Sequence, residues 1–235
     1  MKNFLRRLKY YGIGFAFGLI FVFFFFKDRG CSWKPDNRVK NTILGRVIVV
    51  PESDQEAFAK LGLNDKSIVR FLDDGDVNFS GSKKDGNTKV YEVSKEIKGK
   101  EVKLWFTLPK DAFISEVRMP KGSILAVKNT KKGMGKMIRF PLVETIVFLN
   151  EDDDYFNKEK KKYDLTDSKE VEKYLKKNGM IDFEHSNLST SPYPIQKIVF
   201  ETPTKLRITA SSYWFEEHIT VEGFDTVDSL GITKH

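Results

Sequence analysis

An internal repeat is the feature that most constrains what this chain can fold into. Residues 64–82 read NDKSIVRFLDDGDVNFSGS, and residues 167–186 read DSKEVEKYLKKNGMIDFEHS. Each stretch opens on a helix start signal, Asn64 or Asp65 in the first and Asp167 with Glu170 in the second. Apolar residues follow at helical spacing: Ile68, Phe71 and Leu72 against Val171, Tyr174 and Leu175. Gly75 and Gly179 then stop the helix, with Asn178 as one extra residue in the second copy. Val77 and Phe79, matched by Ile181 and Phe183, alternate as a strand does. Ser82 and Ser186 close the match at equivalent positions, which suits a shared loop hydrogen bond better than a single active site.

The correspondence extends on both sides. Lys89-Val90-Tyr91 parallels Lys197-Ile198-Val199, after a longer loop in the second copy that contains Pro192 and Pro194. Val102, Leu104 and Phe106 alternate, as do Leu206, Ile208 and Ala210, and last strands are expected at 113–117 and 218–221. Upstream, 47–50 matches 146–149 as a buried strand, and residues 53–56 (SDQE) read as a capping box. The expected class is therefore α+β: two tandem modules, residues 43–127 and 140–228, each a short helix pair with an antiparallel sheet. Each is small for an independent core, so packing of one on the other is expected. Residues 128–139 carry five basic residues, no acids, and Gly133 and Gly135; they read as a basic linker or exposed hairpin tip.

Charge separates the body from what precedes it. The net charge of +7 suggests nucleic acid until it is located. All of it lies in residues 1–42, and residues 43–235 balance 31 basic against 31 acidic groups. A neutral body lacks the basic face that phosphate binding needs, so no nucleic-acid partner is expected. The basic residues flank an uncharged run that starts at Tyr10 and ends at Phe26. It reads as an N-terminal transmembrane helix, with a lipid bilayer as partner. It is too long for a signal-peptide core and is followed by Lys27-Asp28-Arg29 rather than a small-residue cleavage site. The layout is then a basic tail (1–9), an anchor (10–27), a basic stalk (28–42) with a free thiol at Cys31, and a short tail (229–235). Gly14 and Gly18 form a GxxxG pattern that offers a homodimer face. A compact basic N-terminus is expected to stay inside, placing the body outside the cytoplasm.

The anchor followed by RGCSW and NRVKN, then GDVNFSGS and KVYEV, resembles membrane-anchored bacterial proteins carrying a domain of unknown function (family 4258). The resemblance rests mainly on residues 1–118. It implies a small α+β domain and brings no activity and no catalytic residues. The second copy departs from it in its longer loop and at Glu184 and His185, where the first has Ser80 and Gly81.

The chemistry-bearing residues are sparse. One cysteine excludes a disulfide framework, and with three histidines no metal site and no cofactor are expected. His185 and His218, with Glu217, are the candidates for a base–acid pair of the kind metal-independent ribonucleases use. Residues 151–154 (EDDD) lack calcium-loop spacing and read as a helix start. Trp105, Tyr213 and Trp214 fall on alternating strand segments and are the candidates for an exposed aromatic binding strip. With no converging catalytic set, the expected role is a binding or assembly module of the cell envelope, its partner another envelope protein or a surface polymer. The alternative is a small hydrolase or ribonuclease, related by fold analogy to toxin-like α+β domains.

Overall fold

The computed structural model describes residues 2–27, 34–110, 112–141, 146–148, 154–188, 192–215, 218–227 and 233–234. They divide into two compact units, Met1–Arg38 and Val39–His235. Cys31 and Glu217 lie outside the described residues.

The first unit is dominated by one helix, α1 (Lys2–Lys27). Its described side chains end at Val22, and from Tyr10 to Val22 every one is exposed. Among the described residues no helix is long and apolar enough to cross a membrane. This corrects the first part of the expected fold class.

The second unit begins within α2 (Pro35–Leu44) and continues through β1 (Val47–Pro51), α3 (Glu52–Leu61), α4 (Asp65–Asp74) and β2 (Asp76–Lys83). Then come β3 (Thr88–Ile97), β4 (Lys100–Pro109), β5 (Ile114–Arg118), a single 3-10 turn at Ile124–Ala126, and β6 (Met134–Arg139). The remainder is β7 (Ile146–Phe148), α5 (Asp154–Lys162), α6 (Ser168–Asn178), β8 (Met180–Asn187), β9 (Ile195–Glu201), β10 (Arg207–Phe215), β11 (His218–Val227) and β12 (Thr233–Lys234). Helix α4 starts with a capping box in which Asn64 and Ser67 exchange hydrogen bonds. The box read at 53–56 is not used: α3 starts at Glu52 behind Pro51, with no side-chain cap.

Among the described residues the strands form one twelve-stranded mixed sheet in the order β12-β11-β10-β9-β8-β6-β1-β5-β4-β3-β2, with β7 beside β11. Two separate antiparallel modules were expected, and this is the second correction to the fold class. Its cause is β6, which lies in the stretch read as a linker. β6 pairs antiparallel with β1 on one side and with β8 on the other, so neither half keeps an open edge at the junction. The halves are also not purely antiparallel: β1 pairs parallel with β5, and β7 pairs parallel with β11.

Each half nevertheless has the same strand order. β2-β3-β4-β5-β1 corresponds strand for strand to β8-β9-β10-β11-β7. Following the pairing senses across the sheet, β8 runs opposite to β2. A rotation that keeps strand order and reverses strand direction must turn the sheet over, so the helices of the two halves belong on opposite faces.

The cores show this. All five residues of β1 are buried, and neighbouring side chains on a strand face opposite ways. Ile48 and Val50 join Ile43, Phe58, Ile68, Phe71 and Leu72 from α2, α3 and α4. Val47 and Val49 join Val171 and Leu175 from α6, together with Ile181, Ile198 and Phe200. One unbroken apolar strand thus serves two cores, as a run like VIVVP requires.

Candidate functional site

β2 and β8 carry the same irregularity. Pairing of β2 with β3 shifts register between Asn78 and Lys83, and pairing of β8 with β9 shifts between Asp182 and Asn187. The extra residues form a bulge, and a serine closes it. The Ser82 hydroxyl donates to the Asn78 carbonyl at 2.6 Å and accepts the Glu92 N–H at 3.1 Å. The Ser186 hydroxyl donates to the Asp182 carbonyl and accepts the Lys197 N–H at 2.9 Å. The first residue of each bulge holds the backbone from inside: Asn78 Oδ1 accepts the Gly81 N–H, and Asp182 Oδ1 accepts those of Glu184 and His185. Upstream, the Gly75 N–H bonds the Phe71 carbonyl at 2.9 Å, and the Gly179 N–H bonds that of Leu175 at 3.0 Å. A Cβ at either glycine would lie within 2.5 Å of that same carbonyl oxygen. Close approach of helix to strand, not a left-handed backbone, requires these glycines.

The two bulged strands differ in what lies beside them. β8 has β6 on its outer edge, with Met134 opposite Asp182, Gly135 opposite Ile181 and Lys136 opposite Met180. The pairing runs on as Phe183 N–H to Gly133 O at 3.1 Å and Met137 N–H to Gly179 O at 3.2 Å. Phe183 lies over Gly135, where a Cβ would come within 2.5 Å of the ring and 2.4 Å of Val49 Cγ1. β2 is the end of the sheet, and among the described residues only β3 pairs with it. Phe79, the counterpart of Phe183, meets Tyr91 edge-on at 6.3 Å. It is half-buried, whereas Phe183 is only 3% exposed.

Beyond the bulge, the first half builds a polar network on the face away from its helices. Glu92 accepts from Asn78 Nδ2 at 2.9 Å and from the Trp105 indole at 3.0 Å. Glu116 is fully buried. It accepts from Arg118 Nε at 2.9 Å, from the Thr130 N–H at 2.9 Å and from the Thr130 hydroxyl at 2.7 Å. Lys83 Nζ reaches the Val127 carbonyl, and Thr88 reaches Asn129. These bonds tie the segment after β5 across the sheet, over Val90 and Trp105. A glutamate inside the apolar run FISEV was the available sequence signal for this network.

The candidate residues are dispersed. His185 sits on the bulge of β8, exposed, with Nδ1 2.7 Å from Asp182 Oδ2. His218 starts β11, and β9 and β10 lie between. Three strand spacings of about 4.8 Å keep the two backbones roughly 14 Å apart, so the histidines do not converge. The aromatic candidates form no exposed strip. Trp105 is 5% exposed and Tyr213 is 9% exposed, while Trp214 stacks on Phe113 at 6.4 Å against the second core. Tyr213 stacks on Tyr193 at 5.1 Å. Burial, followed by the nearby Glu222 carboxylate, pushes its phenol above the ordinary value. Among the described residues no group of three His, Cys, Asp or Glu is placed to hold a metal ion.

No family model, no curated protein and no solved structure matches this chain.

Proposed function

We propose that this chain is a membrane-attached binding or assembly module of the cell envelope. The observation that carries the reading is the surface of α1. Tyr10, Tyr11, Ile13, Phe15, Phe17, Leu19, Ile20, Phe21 and Val22 are between 46% and 78% exposed. At 3.6 residues per turn these positions go right round the helix. An apolar surface of that size is costly in water and suits lipid. Arg7 and Lys9 precede it and suit anionic headgroups. In both bulges the serine hydroxyl and the Oδ1 of the first residue are occupied in holding backbone, which supports binding over catalysis.

Flotation of the full chain with vesicles of zwitterionic and anionic phospholipid tests this. The full chain is expected to rise with the lipid, and a Phe15→Glu, Phe17→Glu variant to stay behind. A full chain that remains monodisperse in the dense fraction would overturn the reading.

A further inference from the structure

The repeat makes the second half a template for the first. β8 accepts an antiparallel strand on its outer edge, and β2 has the same bulge, the same serine bracket and a phenylalanine, Phe79, at the position of Phe183. We propose that β2 is an acceptor edge: between Asp76 and Asn78 it takes an extended, glycine-bearing strand of a partner polypeptide, antiparallel, as β8 takes β6.

Three observations lead there. The bulge that would protect an edge strand leaves β8 competent at residues 180–182, so it leaves β2 competent at 76–78. Phe79 and Val77 are also less covered than their counterparts. Val77 is 7% exposed against 0% for Ile181, and Phe79 is half-buried where Phe183 is buried. The difference is what removing a strand like β6 would leave. Finally, the template sets the chemistry of the guest. Gly135, opposite Ile181, meets both the Phe183 ring and Val49 Cγ1; Phe79 stands in the place of that ring, so glycine is favoured opposite Val77. Main-chain bonds supply the affinity and this one position supplies selectivity, as in strand addition generally. The inference does not depend on membrane attachment.

A synthetic peptide with the sequence of residues 131–140, carrying cysteine at the position of Lys136, is the probe. Lys136 pairs with Met180, whose counterpart is the exposed Asp76. The full chain, in mild detergent, carries Asp76→Cys in a Cys31→Ser background. A chain–peptide disulfide is expected under a glutathione redox buffer. It should fall at least tenfold when the peptide glycine equivalent to Gly135 is replaced by valine, and should fail with Met180→Cys, whose edge β6 already fills. No disulfide at Asp76→Cys, or equal yields from the glycine and valine peptides, would overturn the proposal. So would chain–chain disulfides that exclude the peptide, since the edge would then belong to a second copy.

Discussion

Ser82 and Ser186 hold the same point in two copies of one bulge, in strands that run opposite ways through a single sheet. Each hydroxyl donates to a carbonyl four residues back and accepts an N–H from the neighbouring strand. Replacing either with alanine leaves a carbonyl and an N–H without their partner at a backbone kink. Ser82→Ala and Ser186→Ala are each expected to cost about 1–2 kcal/mol. The sites share no partner, so the double variant should lose the sum within about 0.5 kcal/mol. Urea denaturation of the three variants checks both statements, and strong coupling would contradict the separation of the bulges.

The junction between the halves depends on a missing side chain. Gly135→Val places branched carbons where Val49 and the Phe183 ring already are. Overpacking of this kind costs about 1–3 kcal/mol. Phe183→Ala in the same chain should recover part of the loss, because the ring is one of the two obstacles. If the double variant is as unstable as the sum of the singles, the ring is not what requires glycine.

Glu116 is expected to be the most sensitive polar position. Glu116→Ala leaves the Arg118 guanidinium and both Thr130 donors facing a buried hole. Arg118 is partly exposed and keeps its bond to the Thr130 hydroxyl, so the loss is that of unsatisfied buried donors, about 1–3 kcal/mol. Hydrogen exchange should then report opening of the segment from 119 to 130 before the rest of the sheet. Uniform exchange across the molecule would show that Glu116 does not fasten that segment.

Gln196 should behave in the opposite way. It is fully buried, and neither its Oε1 nor its Nε2 has a hydrogen-bond partner among the described residues. An unsatisfied buried polar group costs about 1–3 kcal/mol. Gln196→Met keeps the length and drops the polar atoms, so a higher melting temperature is expected, by about 2–4 °C per kcal/mol recovered. A fall on this substitution would mean that the amide is satisfied.

High pH should weaken the fold partly through Tyr213. Its phenol titrates above the ordinary value in the folded chain, from burial and then from Glu222. The folded form therefore keeps a proton that the unfolded form releases near pH 10. That contribution is complete below about pH 10 and is lost as pH rises beyond it. Tyr174 is shifted the same way, burial again first, so Tyr213→Phe should flatten the alkaline loss only in part. Melting temperatures between pH 9 and 11.5 decide it; parallel curves for the two proteins would remove Tyr213 from the account.

Much of the local structure was legible. The helix starting behind Asn64, its stop at Gly75, the matching pair at Asp167 and Gly179, and the alternation after each follow from spacing and backbone chemistry. Strand β6 was not legible as such. Its residues MGKMIR are rich in base and glycine, and those are the marks of a loop. They become a strand only because β1 and β8 each offer an edge that must be filled. The aromatic candidates failed for a related reason. Alternation shows that Trp105 faces away from the first core, but not that the segment after β5 returns to cover it.

What the sequence alone determined is therefore the repeating unit: which residues cap, which stop, and which alternate. These are decided within a few residues by dihedral preference and by periodicity. Only the tertiary structure decided that the two repeats join through β6, carry their helices on opposite faces of one sheet, and leave β2 at its end. Those outcomes depend on hydrogen bonds and apolar contacts between residues far apart in the chain, and no local pattern encodes which edge meets which.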